Sequence, residues 1–217
     1  MMKKLVLFDL DGTLLDTIED LGEAVNYALG LKGLPVHAMS EYPAMVGRGI
    51  RNLVKNALPE HLKENDSVVD ECLSVFKEYY SGHIDVHTRP YAGMPELLAE
   101  LDALGVKMAV VSNKFQEGAE RLVREFFVGV PFLCILGNRP GYPLKPDPAI
   151  VEEVLELAGV PRDEAVLVGD SRPDMLTAER AGIDAVAVNW GYSPAEDLAP
   201  HHITNTPAEL RKMLTTV

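Results

Sequence analysis

Four apolar residues that run straight into two aspartates constrain this chain more than any other feature. Residues 5–16 read LVLFDLDGTLLD. Leu5, Val6, Leu7 and Phe8 offer no polar face, as expected of a central strand in a parallel sheet covered by helices on both sides. Asp9 and Asp11 are two positions apart, so they leave the strand's carboxyl end on the same side, and Gly12 supplies a turn. Two like charges held that close call for a cation or a shared proton. An ordinary Asp-Gly turn, in which Asp11 only caps the backbone, explains the same letters about equally well on local grounds. The rest of the chain has to decide between the two.

The 217 residues suffice for one domain, or for one domain with a smaller insert, and 47% hydrophobic content supplies its core. A formal net charge of −13 argues against a nucleic-acid partner, since proteins that bind a phosphate backbone are usually basic. Cys72 and Cys134 stand alone, without CxxC spacing, which suggests neither a zinc site nor a disulfide framework and fits a cytoplasmic setting. Near the start, Asp9 cuts the apolar run short of a signal-peptide core. No stretch approaches the ~20 apolar residues of a membrane span, so no membrane partner is expected.

Asp16 or Thr17 is expected to cap a helix that runs to about residue 32, with Gly33 and Pro35 as its stop. Residues 40–83 carry helical periodicity without a convincing strand, in MVGRGIRNLVKNAL and in NDSVVDECLSVFKEYY, where Val69, Leu73, Phe76 and Tyr80 share a face. This predicts a helical cap over 16–85, inserted into a core made of 1–15 and 86–217, with 85–90 as its return linker. From Met94 onward helices and strands alternate, with strands at 107–111, 132–136, 165–168 and 185–188 and a short one near Ile203. That order implies right-handed crossovers and an α/β fold: a Rossmann-like parallel sheet with helices on both faces in three layers. There is no internal repeat.

Every polar cluster falls at the carboxyl end of an expected strand, the edge where open α/β sheets bind ligands. A phosphate monoester needs a carboxylate to attack phosphorus, an acid to protonate the leaving oxygen, and cations to offset charge. Asp9 and Asp11 supply the first two. Mg²⁺ takes oxygen ligands, so it needs a further acid beside Asp9, for which Asp170 is the candidate. Asp174 lies about one turn further on, placed to steady a lysine or a metal-bound water; as an acid near a helix start it also has a purely helix-stabilising explanation. Ser112 and Asn113 read either as phosphoryl donors at a strand end or as a helix cap. Lys145 sits among Pro143, Pro146 and Pro148; a solvated surface lysine is the usual reading, but the rigid flanks favour a placed cation here more than for an average lysine. His37, His61, His83, His87, His201 and His202 lack ligand spacing and read as surface or linker residues. Trp190 and Tyr192 either rim the site or pack at a strand end.

FDLDGTLLD, VSNK, LKPDP and VGDSRPD, in that order, resemble the four motifs of the haloacid dehalogenase-like hydrolase superfamily. The resemblance implies that Asp9 is the nucleophile and Asp11 the general acid/base, with Asp9, Asp170 and the main-chain carbonyl of Asp11 on Mg²⁺ and Asp174 in support. It also implies that Ser112 and Asn113 bind phosphate and that Lys145 balances charge. Gly12 and Thr13 are expected to contact the substrate and, because the same stretch feeds the cap, to couple cap movement to the chemistry. VGDSRPDMLTAERAG, VNWGYS and VGRGIRNLV are most similar to the phosphoglycolate phosphatase group, which makes Gly47 and Arg48 candidate contacts to a substrate carboxylate. Pro173 and the loop 137–142 depart from that group's pattern.

The resulting expectation is a Mg²⁺-dependent phosphatase of a small phosphorylated metabolite, 2-phosphoglycolate first, acting through an aspartyl-phosphate as a monomer or homodimer. A β-phosphoglucomutase-like phosphomutase and a pyrophosphate or nucleotide phosphatase are the alternatives. A dehalogenase is disfavoured because the family's dehalogenases lack the second acid that Asp11 provides. A non-catalytic binding module is the least favoured, since every expected catalytic position is filled.

Overall fold

Leu5, Val6, Leu7 and Phe8 are all completely buried, which requires β1 (Leu5–Phe8) to have neighbours on both edges and cover on both faces. The structure, a computed structural model, describes residues 3–194, 198 and 202–215. On one edge β1 pairs in parallel with β4 (Lys107–Phe115), with Leu5 opposite Lys107 and Phe8 opposite Val110. On the other it pairs in parallel with β6 (Ala165–Gly169), with Phe8 opposite Val168. The sheet continues through β5 (Phe132–Asn138), β7 (Asp184–Val188) and β8 (His202–Thr204), all parallel, in the order β5-β4-β1-β6-β7-β8.

The period of two in these strands sorts their side chains into two cores. Val6, Phe8, Val110 and Val168 point to the face covered by α4 (Met94–Ala103), α5 (Gln116–Phe126) and α8 (Pro207–Thr215). Leu5, Leu7, Val111 and Leu167 point to the face covered by α6 (Ala149–Ala158) and α7 (Arg172–Ala181). The three layers expected from the alternating pattern are present.

Between the first two strands of the large sheet the chain makes a helical excursion. β2 (Leu15–Asp16) leads into α1 (Ile18–Leu31), a short 3₁₀ turn (Met39–Ala44), α2 (Ile50–Ala57) and α3 (Asp66–Gly82). The chain returns through β3 (Arg89–Pro90), which pairs antiparallel with β2, Asp16 opposite Arg89. The outgoing and returning linkers therefore form one ribbon. Asp20, 1% exposed near the start of α1, fastens it: its two oxygens accept from the His87 amide (2.9 Å), the Thr88 amide (2.9 Å) and the Thr88 hydroxyl (2.7 Å). Val69, Cys72, Phe76 and Tyr80 form the buried face of α3, with Leu73 only half-buried beside them.

Two expectations about elements fail. VGRGIRNLV is not helical from its start: Gly47 (φ 107°) and Gly49 (φ 79°) put the backbone where a helix cannot run, so α2 begins at Ile50. The strand expected to stop at Val111 continues to Phe115, so Ser112 and Asn113 are strand residues and do not cap α5, whose N-cap is Phe115. No helix among the described residues is long and apolar enough to cross a membrane.

Candidate active site

The chain order steps from β1 out to β4 and β5, then back across to β6 and β7, so β1 lies where the winding reverses, and its carboxyl end is the natural crevice of such a sheet. Asp9 and Asp11 emerge from β1 there, Ser112, Asn113 and Lys114 from β4, and Asp170 from the end of β6. Asp9, Asp11, Ser112 and Asp170 line one cleft that is open to solvent. The helical excursion supplies the opposite wall, where Leu21, Val46, Ile50 and Leu53 are apolar and Gly47 and Gly49 bring backbone close.

Asp9 is 7% exposed. Its Oδ1 accepts from the Leu10 amide at 2.7 Å and from the Lys145 ammonium at 2.9 Å. Its Oδ2 has no donor among the described residues, which leaves one lone-pair-bearing oxygen available to a ligand. Burial, with Asp174 and Asp11 near by, outweighs Lys145 and pushes the Asp9 carboxyl up to about 7.

Lys145 is almost fully enclosed. Its ammonium also donates to the Val111 carbonyl at 2.9 Å and to Asp174 Oδ1 at 2.5 Å. Burial works against its charge, but the Asp174 and Asp9 carboxylates prevail and hold it above the ordinary lysine value. Asp174 is fully buried, and its other oxygen accepts from the Ser171 amide at 3.1 Å and from the Ser171 hydroxyl, a capping box at the start of α7. Both sequence-level readings of Asp174 are therefore realised at once, the helix-terminal acid and the lysine anchor.

Asp170 lies in a nest of close contacts. Thr13 donates its hydroxyl to Oδ1 at 3.1 Å and the Tyr192 amide donates to Oδ2 at 2.8 Å. A Cβ on Gly12 would sit 2.3 Å from Asp170 Oδ2, and one on Gly191 would sit 2.2 Å from Asp170 Cβ, so only glycine admits this carboxylate between the two loops. Burial first, then the Asp9 and Asp174 charges, hold Asp170 well above the usual carboxylate range.

Asp9, Asp170 and Asp174 each offer an oxygen within 4.8 Å of the others, and all three are buried. With all three ionised, one enclosed ammonium leaves two negative charges uncompensated, which is why Asp9 and Asp170 are pushed toward their protonated forms when no cation is bound. An all-oxygen donor set with excess negative charge suits a hard divalent cation such as Mg²⁺. Asp174 and Asp170 each already accept a hydrogen bond on both oxygens, whereas Asp9 Oδ2 accepts none among the described residues, so Asp9 has the freest oxygen for it.

The other expected residues fall as follows. Ser112 lines the cleft, and its oxygen accepts the Lys114 amide at 3.2 Å, which leaves its proton to donate. Asn113 lines the cleft too, but its side chain is engaged with the Lys145 backbone, accepting from its amide at 2.8 Å and donating to its carbonyl at 3.0 Å, and it reaches the Gly47 carbonyl at 3.3 Å. Thr13 is fully buried behind Asp170. Gly47 is on the cleft wall; Arg48 beside it is exposed and makes no hydrogen bond or ion pair among the described residues. Thr17 is the N-cap of α1 as expected, but its side chain makes no capping bond; its hydroxyl donates to Asp11 Oδ1 at 2.8 Å. Tyr192 borders the cleft, and Trp190 donates to the Thr13 carbonyl at 3.1 Å. His87, without ligand spacing in sequence, is brought to Glu19 at 3.8 Å and Glu23 at 3.6 Å; His201 lies outside the described residues.

One residue of the site escaped the sequence reading. Lys114, 3% exposed, donates to Asp11 Oδ1 at 3.0 Å and to the Tyr80 hydroxyl at 2.7 Å. Burial pulls against its charge, yet Asp11 and Tyr80 keep it above the ordinary lysine value.

Comparison with known proteins places this geometry. The phosphoglycolate phosphatase of Pseudomonas savastanoi pv. phaseolicola is 36% identical, covering 98% of this chain and 79% of that protein. The phosphoglycolate phosphatase of Aquifex aeolicus is 31% identical, covering 97% of this chain and 96% of that protein. A crystal structure from Lactobacillus delbrueckii subsp. bulgaricus, provisionally named a phosphoglycolate phosphatase, superimposes with a TM-score of 0.93 at 33% identity over 100% of both chains. The sequence profile described as Haloacid dehalogenase-like hydrolase matches residues 6–188, and the chain belongs to that family.

Proposed function

We propose that this protein is a Mg²⁺-dependent phosphatase of small phosphomonoesters, with 2-phosphoglycolate as its first substrate, working through an aspartyl-phosphate on Asp9. The observation that carries the reading is the asymmetry of Asp9, with Oδ1 fixed by Lys145 and the Leu10 amide and Oδ2 without a donor among the described residues. A carboxylate held by one oxygen is oriented to attack with the other.

In the first half-reaction Asp9 Oδ2 bonds to phosphorus, the bond from phosphorus to the substrate's ester oxygen breaks, and that oxygen takes a proton from Asp11. In the second, Asp11 takes a proton from water, the water oxygen bonds to phosphorus, and the bond to Asp9 breaks to release inorganic phosphate. The Ser112 hydroxyl and the Lys145 ammonium offset charge on the phosphoryl oxygens. Asp9, Asp170 and the Asp11 carbonyl would hold Mg²⁺, whose contribution is to stabilise negative charge on the transferring group. Asp174 holds Lys145 in place. Residues 16–85 act as a cap domain over the core of 1–15 and 86–217. The names of the Pseudomonas and Aquifex relatives support the choice of 2-phosphoglycolate. A cytoplasmic location and a small phosphorylated metabolite as partner belong to the same reading.

Phosphate release from a panel of sugar phosphates, nucleotides, pyrophosphate and 2-phosphoglycolate tests it, with EDTA and then excess Mg²⁺ added. Turnover of 2-phosphoglycolate ahead of the panel, silenced by EDTA and restored by Mg²⁺, is expected. Isomerised sugar phosphate without free phosphate would identify a mutase instead, and activity indifferent to chelation would remove the metal.

A further inference from the structure

Lys114 takes no part in the chemistry above, yet it is among the most constrained cations in the molecule. It sits on β4 two residues beyond Ser112, and its ammonium is held from two directions: Asp11 on the core side and the Tyr80 hydroxyl on α3. An enclosed ammonium is costly unless its donors are met, so these contacts define one position for it. Tyr80 is itself fully buried, packed on Phe76 and edge-on to Phe115 with ring centroids 5.1 and 6.2 Å away.

The consequence falls on Asp11. Its Oδ1 accepts from Thr17 at 2.8 Å and from Lys114 at 3.0 Å, whereas Oδ2 has only a long Lys114 contact at 3.4 Å. We infer that Lys114, seated by Tyr80, is a positioning residue that fixes the rotation of the Asp11 carboxyl and presents Oδ2 as the oxygen that exchanges the proton. The inference rests on Asp11 being the acid/base of the phosphatase reaction. Because Tyr80 belongs to the helical excursion, Lys114 keeps both partners only while α3 is docked against the core, which ties proton transfer to the position of that helix.

Proton delivery matters most for a poor leaving group, so the test compares two esters. For wild type, Lys114→Met and Tyr80→Phe, kcat/KM is measured on 2-phosphoglycolate, an alkyl ester, and on p-nitrophenyl phosphate, whose aryl oxide leaves with little help. Lys114→Met should lose roughly 100-fold on the alkyl ester and roughly tenfold less on the aryl ester. Tyr80→Phe should shift the ratio the same way by about five- to tenfold, and it decides the matter if Lys114→Met does not fold. In the Asp11→Asn background, Lys114→Met should cause no further loss, since the group it positions is gone. Equal losses on both esters, or a further loss in the Asp11→Asn background, would overturn the inference and leave the phosphatase reading intact. A wild-type enzyme inactive on both esters would remove the phosphatase reading and the inference with it.

Discussion

The surroundings of Asp170 favour its protonated form, and that preference makes the metal-free fold sensitive to pH. Burial and the Asp9 and Asp174 charges raise its folded-state value above that of the unfolded chain. Without metal, its contribution to stability is complete below the ordinary carboxylate range and is lost as pH rises through the folded value. Asp9 behaves the same way and loses its contribution as pH approaches about 7. Asp170→Asn removes one of these charges while keeping an acceptor for the Tyr192 amide, its NH2 turned to the Thr13 hydroxyl, which can accept in place of donating. In EDTA its melting temperature should therefore rise relative to wild type as pH climbs above the ordinary carboxylate range, where the wild-type carboxyl has to ionise. Added Mg²⁺ should stabilise wild type and not the variant. A difference between the two proteins that stays constant with pH would show that Asp170 is not held above its normal value.

At the scale of elements, the two-residue ribbon of β2 and β3 is too short to hold the helical excursion in register alone. Asp20 does that work, with three donors on a fully enclosed carboxylate. Asp20→Ala leaves the His87 and Thr88 amides unsatisfied, while the Thr88 hydroxyl keeps the Ile84 carbonyl at 3.0 Å, and should cost about 3 kcal/mol or more. A calorimetric loss of roughly 6 °C or more is expected, and a melting temperature within about 1 °C of wild type would show that the ribbon and helix packing suffice. The same scale shows what the sequence could and could not reveal. The strands of the sheet interior were legible because residues such as Leu5 to Phe8 are apolar at every position. The strand β4 was read too short because Ser112, Asn113 and Lys114 are polar, and they are polar because they turn toward the site. Residues 45–49 were read as helix because Met45, Ile50 and Leu53 keep an apolar spacing across Gly47 and Gly49, and that spacing says nothing about φ. Nothing in the sequence around Lys114 sets it apart; contacts 34 and 103 residues away, to Tyr80 and Asp11, enclose it.

For the whole molecule, the parallel order β5-β4-β1-β6-β7-β8 gathers residues from distant parts of the chain at one sheet edge. Strand-end positions were readable in advance, which is why Asp9, Asp11, Ser112 and Asp170 could be expected to converge. The apolar wall of Leu21, Val46, Ile50 and Leu53 was not, because those residues look like ordinary helix core until the excursion folds back over the cleft. The central claim is that Asp9 becomes covalently phosphorylated while this cleft is occupied. Rapid acid quench of enzyme, Mg²⁺ and 2-phosphoglycolate, followed by peptide mass spectrometry, reads that directly. The peptide containing Asp9 should gain one phosphoryl group in wild type and none in Asp9→Asn, which should also lose turnover. Normal turnover by Asp9→Asn, or a phosphoryl group carried by any other residue, would contradict the account.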